Sequence, residues 1–207
     1  MTRARPDWAY LNDAKVRHWY HLTEGQQTPN EDKSFRPPSK ALFAIPPQDV
    51  VSIPQWVSSK DSAIINEVVA LETERLGIRP NEGPGRASEW KTVELNGSRT
   101  LVQSVSIPWS LPELESMDDV FAKFVPQYAL YTPPANAIVL WTEEGNWIAG
   151  YSRGERWVHV HALGNGSVGA ITSEVQLTLL ELSAKGILDS LEEIVVWDKF
   201  DFNLSEA

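Results

Sequence analysis

Gly164, Gly166 and Gly169 fall within six residues, after a β-branched run and before an amphipathic one. A glycine turn between a strand and a helix start leaves backbone N–H groups pointing outward, and such groups can hold phosphate. The chemistry on offer there would be nucleotide binding. Asn165-Gly166-Ser167-Val168-Gly169 lacks the Gly-Lys-Ser/Thr of a P-loop, and the spacing equally suits a plain strand-to-helix turn in which glycine supplies positive φ. His159 and His161 are the next candidates. Two apart on an expected strand, they project to one face. Two imidazoles on one face begin a zinc site, but such a site needs a third ligand and the chain has four histidines in all. The same pattern fits two half-buried strand histidines, and His18 and His21, three apart, face opposite ways.

Carboxylates are plentiful without forming a metal trap. A two-metal nuclease needs acids on central strands, and the runs Ile138–Trp141, Trp147–Tyr151 and Arg156–Ala162 hold none. Asp198, at the end of the last expected strand, stands alone in a suggestive place, where strand-end and capping residues also sit. No Gly-x-Ser-x-Gly elbow occurs, so acyl transfer has no support. The nine tryptophans are spread over many segments, which fits packing better than a stacking platform. The sequence therefore nominates no catalytic, cofactor-binding or metal residue, and the expectation is a protein that is not an enzyme and carries no cofactor.

The elements around these residues are clearest from Ala137 to Lys185. Turns at Glu144-Gly145-Asn146 and Arg153-Gly154-Glu155 separate three short strands, and the glycine loop then leads into an amphipathic helix. Gly186 ends that helix, and Ile194-Val195-Val196-Trp197-Asp198 reads as a buried strand returning by a crossover. Upstream, Asp7–Leu22 reads as a hairpin turning at Asn12-Asp13, and Thr23–Lys40 as a polar loop with Pro29, Pro37 and Pro38. Ala41–Ile45 and Val50–Ile53 are short strands around Pro46–Asp49. A helix capped at Ser58 or Ser59 should follow, with Ile64, Ile65, Val68, Val69, Leu71 and Leu76 inward, Glu67, Glu72, Thr73 and Arg75 outward, and Gly77 as its stop.

Asn81–Ala87 reads as a loop, and Asn96-Gly97 marks a hairpin between Glu89–Leu95 and Arg99–Ile107. Ser110-Leu111-Pro112-Glu113 suits a capping box for a helix bearing Leu114, Met117, Val120, Phe121 and Phe124 and ended by Pro126. Gln127–Tyr131 reads as a strand, and Lys199–Ala207 as a frayed end. No internal sequence repeat is visible.

Composition narrows the partners. The 207 residues carry a formal charge of −10 and a pI near 4.9, which disfavours nucleic acid, since phosphate backbones need clustered Lys and Arg. At 42% hydrophobic the chain can bury a real core. The absence of cysteine excludes disulfides and thiolate chemistry. No run of about 18 apolar residues occurs to span a membrane, and MTRARPDWAYLNDAK has no apolar stretch of a signal peptide. A cytoplasmic location is expected.

Three segments together resemble the actin-like domains of bacterial type IV pilus and type II secretion machines, the PilM-type and GspL-type proteins of the inner-membrane platform. They are ALFAIPPQDVVSIPQWVSSKDSAIINEVVALETERLGI, AIVLWTEEGNWIAGYSRGERWVHVHAL and SEVQLTLLELSAKGILDSLEEIVVWD. The resemblance rests on element order over most of Ala41–Asp198. It implies an α/β fold with actin-like, ribonuclease-H-like mixed sheets and flanking helices, only part of the full two-lobed form. Residues 1–207 would make one domain, with a smaller lobe at about 58–132 and a flexible loop at about 23–40.

Actin-like ATPases carry an Asp-x-Gly phosphate loop on their first hairpin, and DWAYLNDAKVRHWYHL has no glycine there. The resemblance thus points to a non-catalytic cytoplasmic scaffold of a pilus or secretion platform. It would be held at the inner membrane by a partner ATPase or the cytoplasmic tail of a membrane protein. The alternative is a nucleotide-binding actin-superfamily ATPase using Gly164–Gly169. The resemblance also implies further core elements after Asp198, so the chain corresponds to a fragment or to a shortened relative.

Overall fold

The computed structural model describes residues 7–13, 16–23, 26–30, 32, 34–35, 41–78, 89–106 and 122–197. These residues form three sheets. The first begins with the expected hairpin, β1 (Trp8–Asp13) against β2 (Val16–Thr23), antiparallel from Trp8↔His21 to Asp13↔Val16, so Asn12 and Asp13, expected at its turn, are instead paired residues of β1. A third strand, β3 (Gln26–Asn30), pairs with β2 inside the segment expected to be a loop. Its sequence, Gln-Gln-Thr-Pro-Asn, hides it, and Pro29 is tolerated because β3 lies at the sheet edge. β4 (Ala41–Ile45) returns parallel to β1, and β8 (Ala122–Pro126) lies parallel to β4. The strand order is β3-β2-β1-β4-β8.

β8 corrects the sequence reading at Phe124 and Pro126, which were expected to close a helix. The remainder of that expected helix, 110–121, lies outside the described residues, as do the expected 81–87 loop, Asp198 and the 199–207 end. Gln127–Leu130, expected as a strand, is a 3-10 turn that buries Gln127, Tyr128 and Leu130.

The second sheet repeats this topology. β9 (Ala137–Glu143), β10 (Asn146–Arg153) and β11 (Arg156–Gly164) form the expected meander. Its turns need positive φ at both central positions, and Glu144 (50°), Gly145 (82°), Gly154 (54°) and Glu155 (59°) supply it. After α2 (Val168–Ala184) the chain returns as β12 (Glu193–Val196), parallel to β9, giving the order β11-β10-β9-β12. A meander followed by a strand parallel to its first member is thus present twice. No sequence repeat announces it, because the two copies share pairing and not residues.

Between the copies, β5 (Val51–Val57), β6 (Glu89–Asn96) and β7 (Arg99–Ser106) form a three-stranded sheet in the order β5-β7-β6. Pro54 sits in β5, an edge strand, where a missing N–H costs no ladder bond. Packed on this sheet is α1 (Ser62–Arg75). Its cap is Asp61, whose carboxylate accepts from Ala63 N at 2.8 Å; Ser59, one of the two expected caps, instead accepts from Asp61 N.

The helix buries Ile65, Val69 and Thr73, while Ile64, Leu71 and Leu76 are exposed. Thr73 was expected outward. It turns inward at little cost because its hydroxyl donates to Val69 O at 2.7 Å. Gly77 (φ 72°) and Gly186 (φ 62°) terminate the two helices as expected. In each case the following N–H reaches back five residues, Ile78 to Thr73 O and Ile187 to Leu182 O.

The largest core lies between the two repeated sheets. Trp19, Phe43 and Ile45 of the first meet Val139, Trp141, Ile148, Trp157 and Val160 of the second, with Tyr128 and Tyr131 of the connecting turn between them. A second core fills the space between the second sheet, α2 and the small sheet, through Ile138, Tyr151, Val158, Ile171, Leu182, Val93 and Leu101.

Candidate functional site

The glycine loop is a tight turn. Gly164 ends β11 at φ 67°, and Ser167 caps α2, its hydroxyl accepting from Ala170 N at 3.4 Å. Gly169 is not in the loop but in the first turn of the helix. Residues 165–170 are exposed and carry no cationic side chain.

His159 and His161 do share a face, and the face is covered. β11 holds one extra residue opposite Tyr151-Ser152, so that Tyr151 pairs with His159 and Ser152 with Trp157. The bulge leaves Trp157 and Val160 in the core between the sheets and turns Val158 and both histidines toward α2. The imidazoles share one hydrogen bond, His161 Nδ1 to His159 Nε2, at 2.8 Å. Tyr151 lies against both rings, with centroids 5.9 and 5.8 Å away.

Burial pushes His159 down to about 3, with help from the neighbouring His161, and burial likewise lowers His161. Both rings are therefore neutral at physiological pH. Burial also raises the Tyr151 hydroxyl. Glu174 and Glu181 of α2 face the pair electrostatically, and Thr178 lies by the Tyr151 hydroxyl without a hydrogen bond of good geometry. Among the described residues His159 Nδ1, His161 Nε2 and Tyr151 Oη have no hydrogen-bond partner of good geometry, although the Ser52 backbone of β5 lies by His159. Among the described residues no group of three His, Cys, Asp or Glu side chains is placed to hold a metal ion. Chemically the cluster is a neutral polar contact beneath α2.

One acid was missed. β9 extends two residues beyond its last apolar side chain and ends at Glu143, which is buried and accepts from Trp141 Nε1 at 3.3 Å. Burial first, and the Glu143 charge among the other causes, raise the Tyr131 hydroxyl. Glu143 thus stands at the rim of the aromatic core, where Trp141, Trp157 and Trp197 pack with centroids 5.8 to 6.1 Å apart.

The small sheet is pinned to the second copy by Arg153. Its guanidinium bonds Glu94 of β6, Asp189 at 2.9 Å and Ile187 O at 2.8 Å. It also lies over the ring of Trp56, as Arg99 does from the other strand, and the Trp56 indole donates to Gly186 O.

No family model matches the chain, and no curated protein matches it by sequence. Solved structures do. The PilM-PilN type IV pilus biogenesis complex aligns with a TM-score of 0.51 at 12% identity, over 89% of this chain and 76% of that one. The cytoplasmic domain of EpsL, an inner-membrane component of the type II secretion system of Vibrio cholerae, aligns at 0.49 and 10% identity, over 92% and 85%. A Bacteroides thetaiotaomicron protein of actin-like ATPase fold and unknown function aligns at 0.45 and 6% identity, over 94% and 82%. At such identities the likeness speaks of fold alone. With its doubled meander-and-return sheets, the chain has the actin-like fold, similar to the PilM-PilN structure.

Proposed function

We propose that this chain is a non-catalytic, cytoplasmic scaffold of a type IV pilus or type II secretion assembly platform, working by binding partner proteins. The observation that carries the reading is the packed seam between the two sheets. Trp141, Trp157, Phe43, Tyr128 and Tyr131 fill it, and Glu143 beside them is held by the Trp141 indole. A seam of aromatic rings suits a rigid body better than a lobed clamp that must open around a substrate. Its fold is like that of a PilM-PilN complex, a pilus biogenesis assembly, which supports the same setting. No helix among the described residues is long and apolar enough to cross a membrane. The proposed partners are a platform ATPase or the cytoplasmic tail of a membrane protein.

Affinity purification of the tagged chain from its native host tests this. Enrichment of pilus or secretion components is expected. Recovery of none of them in cells that express the platform would sink the reading.

A second reading, nucleotide binding at Gly164–Gly169, keeps one observation in its favour: β11 does pass through glycines directly into a helix N-terminus. Calorimetry with Mg-ATP separates the two. Gly166 has ordinary φ, and an added Cβ would meet only Ala170 Cβ, at 3.4 Å. Gly166→Val is thus a clean probe, and tight binding abolished by it would revive the nucleotide reading. No heat at ~1 mM nucleotide, a concentration that detects interactions of about −4 kcal/mol, is the expected result.

A further inference from the structure

Among the described residues the second sheet stops one strand short of the first. In the first, β4 is flanked outward by β8, in parallel register from Ala41↔Ala122 to Ile45↔Pro126, and every residue of β4 is buried. In the second, β12 occupies the place of β4, and no strand among the described residues pairs with its outer edge. The side chains show the difference. Ile194 is 64% and Val196 57% exposed, and Leu191 just before them 41%. The register Ile194↔Ile138 and Val196↔Leu140 puts both on the face that α2 covers further in, so they extend the second core outward past the helix. An unpaired apolar edge is the kind of surface to which an extended segment adds as a strand.

The surroundings say what segment fits. Glu192, which accepts from Asn136 Nδ2 at 2.7 Å, and Glu193 line the approach to β12, both exposed, in a chain whose net charge is −10, while Asp189 before them is paired with Arg153. Two copies meeting through this edge would bring those acids together, which opposes self-pairing. The strand that fills the matching place in the first sheet has the sequence Ala-Lys-Phe-Val-Pro, apolar with one lysine.

We propose that the outer edge of β12 receives, as a fifth strand, an extended segment of a partner protein in which β-branched residues alternate with Lys or Arg. Main-chain bonds to β12 would give the affinity, Ile194 and Val196 would bury the apolar side chains, and the acids would set charge preference. This deepens the scaffold reading by naming its docking edge, and rests on that reading only for the cellular setting.

The test uses the full chain and a fluorescent hexapeptide alternating lysine and valine. A second peptide has proline in place of each valine, carrying the same charge without the ability to pair. The expected result is saturable binding of the first peptide alone, with slowed amide exchange at Glu193–Val196. Ile194→Asp with Val196→Asp should weaken binding about tenfold or more, which is ~1.4 kcal/mol. Both side chains are exposed, so the thermal midpoint should barely move.

Three outcomes would overturn the proposal. One is equal binding of the proline peptide. Another is no exchange protection at ~1 mM of the first peptide, a concentration that matches about −4 kcal/mol. The third is a dimer that protects β12 without any peptide. None of these touches the co-purification result, so the docking edge and the scaffold reading fail separately.

Discussion

Between β3 and β4 the chain has ten residues, 31–40; between β11 and β12, the matching step of the second sheet, it has twenty-eight, 165–192, most of them in α2. The first crossover sets Phe35 on the aromatic face, with its ring 4.5 Å from Trp8 and 6.4 Å from Trp19. The second lays a whole helix on the opposite face, where Ile171 and Leu182 close over Ile138, Tyr151 and Val158. The strand order is nevertheless the same. Meander plus parallel return therefore defines this unit, and the crossover decides only which face gets covered. What differs functionally is the rim: the first sheet is finished by β8, while the second ends on an apolar, acid-flanked edge.

The two sheets share one core, and the most damaging substitution tests whether they unfold as one body. Trp141 is fully buried in the seam, so Trp141→Ala should cost ~3–5 kcal/mol. Urea unfolding followed by far-UV circular dichroism and by tryptophan emission should shift together. Two separated transitions would show that the sheets fold independently.

A smaller effect is expected at Gly150. A Cβ there would lie 2.3 Å from Trp157 Cζ3 and 3.0 Å from Trp141 Cζ3, so the strand needs a residue without a side chain at this point. Gly150→Ala should destabilise by ~1–3 kcal/mol through overpacking, read as a lowered thermal midpoint. A neutral outcome would mean that the seam yields easily and the two sheets are only loosely joined.

Acid should loosen the second sheet through its histidines. Folded His159 and His161 resist protonation, whereas in the unfolded chain each titrates near 6.5. The unfolded state thus binds more protons below that value. Stability is complete above about pH 6.5 and falls as pH drops below it, for His159 down toward about 3, by at most ~1.4 kcal/mol per pH unit for each ring. Urea midpoints at pH 7.5 and 5 should differ in that direction, and His159→Gln should flatten the slope. An unchanged slope would remove the pair from the account of how α2 is held.

The helix caps should give the smallest differences. Asp61→Ala should cost ~1 kcal/mol. Ser167→Ala should cost less, because its bond is 3.4 Å against 2.8 Å at Asp61. Reversed magnitudes in thermal melts would mean that the glycine turn before α2 bears more strain than its geometry suggests.

Hairpins and helices were legible because their signals are local. Glu144-Gly145, Gly154-Glu155 and Asn96-Gly97 are turn chemistry, and Gly77 and Gly186 are helix stops. The missed elements depended on neighbours far along the chain. β3 looks like a loop because an edge strand can be polar and hold Pro29. β8 was mistaken for a helix end because Phe124 fits a helical stripe as well as an alternating one.

The candidate site divides in the same way. The shared face of His159 and His161 follows from strand spacing, but their cover by α2 does not. Ile194 to Trp197 has the same composition whether it is buried on both sides or lies at a rim, so its exposure could not be read from it. Glu143 escaped notice because burial of an acid depends on a partner, here the Trp141 indole, that only the fold brings within reach.

Trp141, Trp157 and Trp197 form a triad of indoles drawn from β9, β11 and the residue after β12. Transition dipoles this close couple, so the folded chain should show a split signal in circular dichroism that disappears when the seam opens. Any partner that pries the two sheets apart, or clamps them harder, would then register in light absorption without a label. The molecule carries its own strain gauge at the joint between its halves.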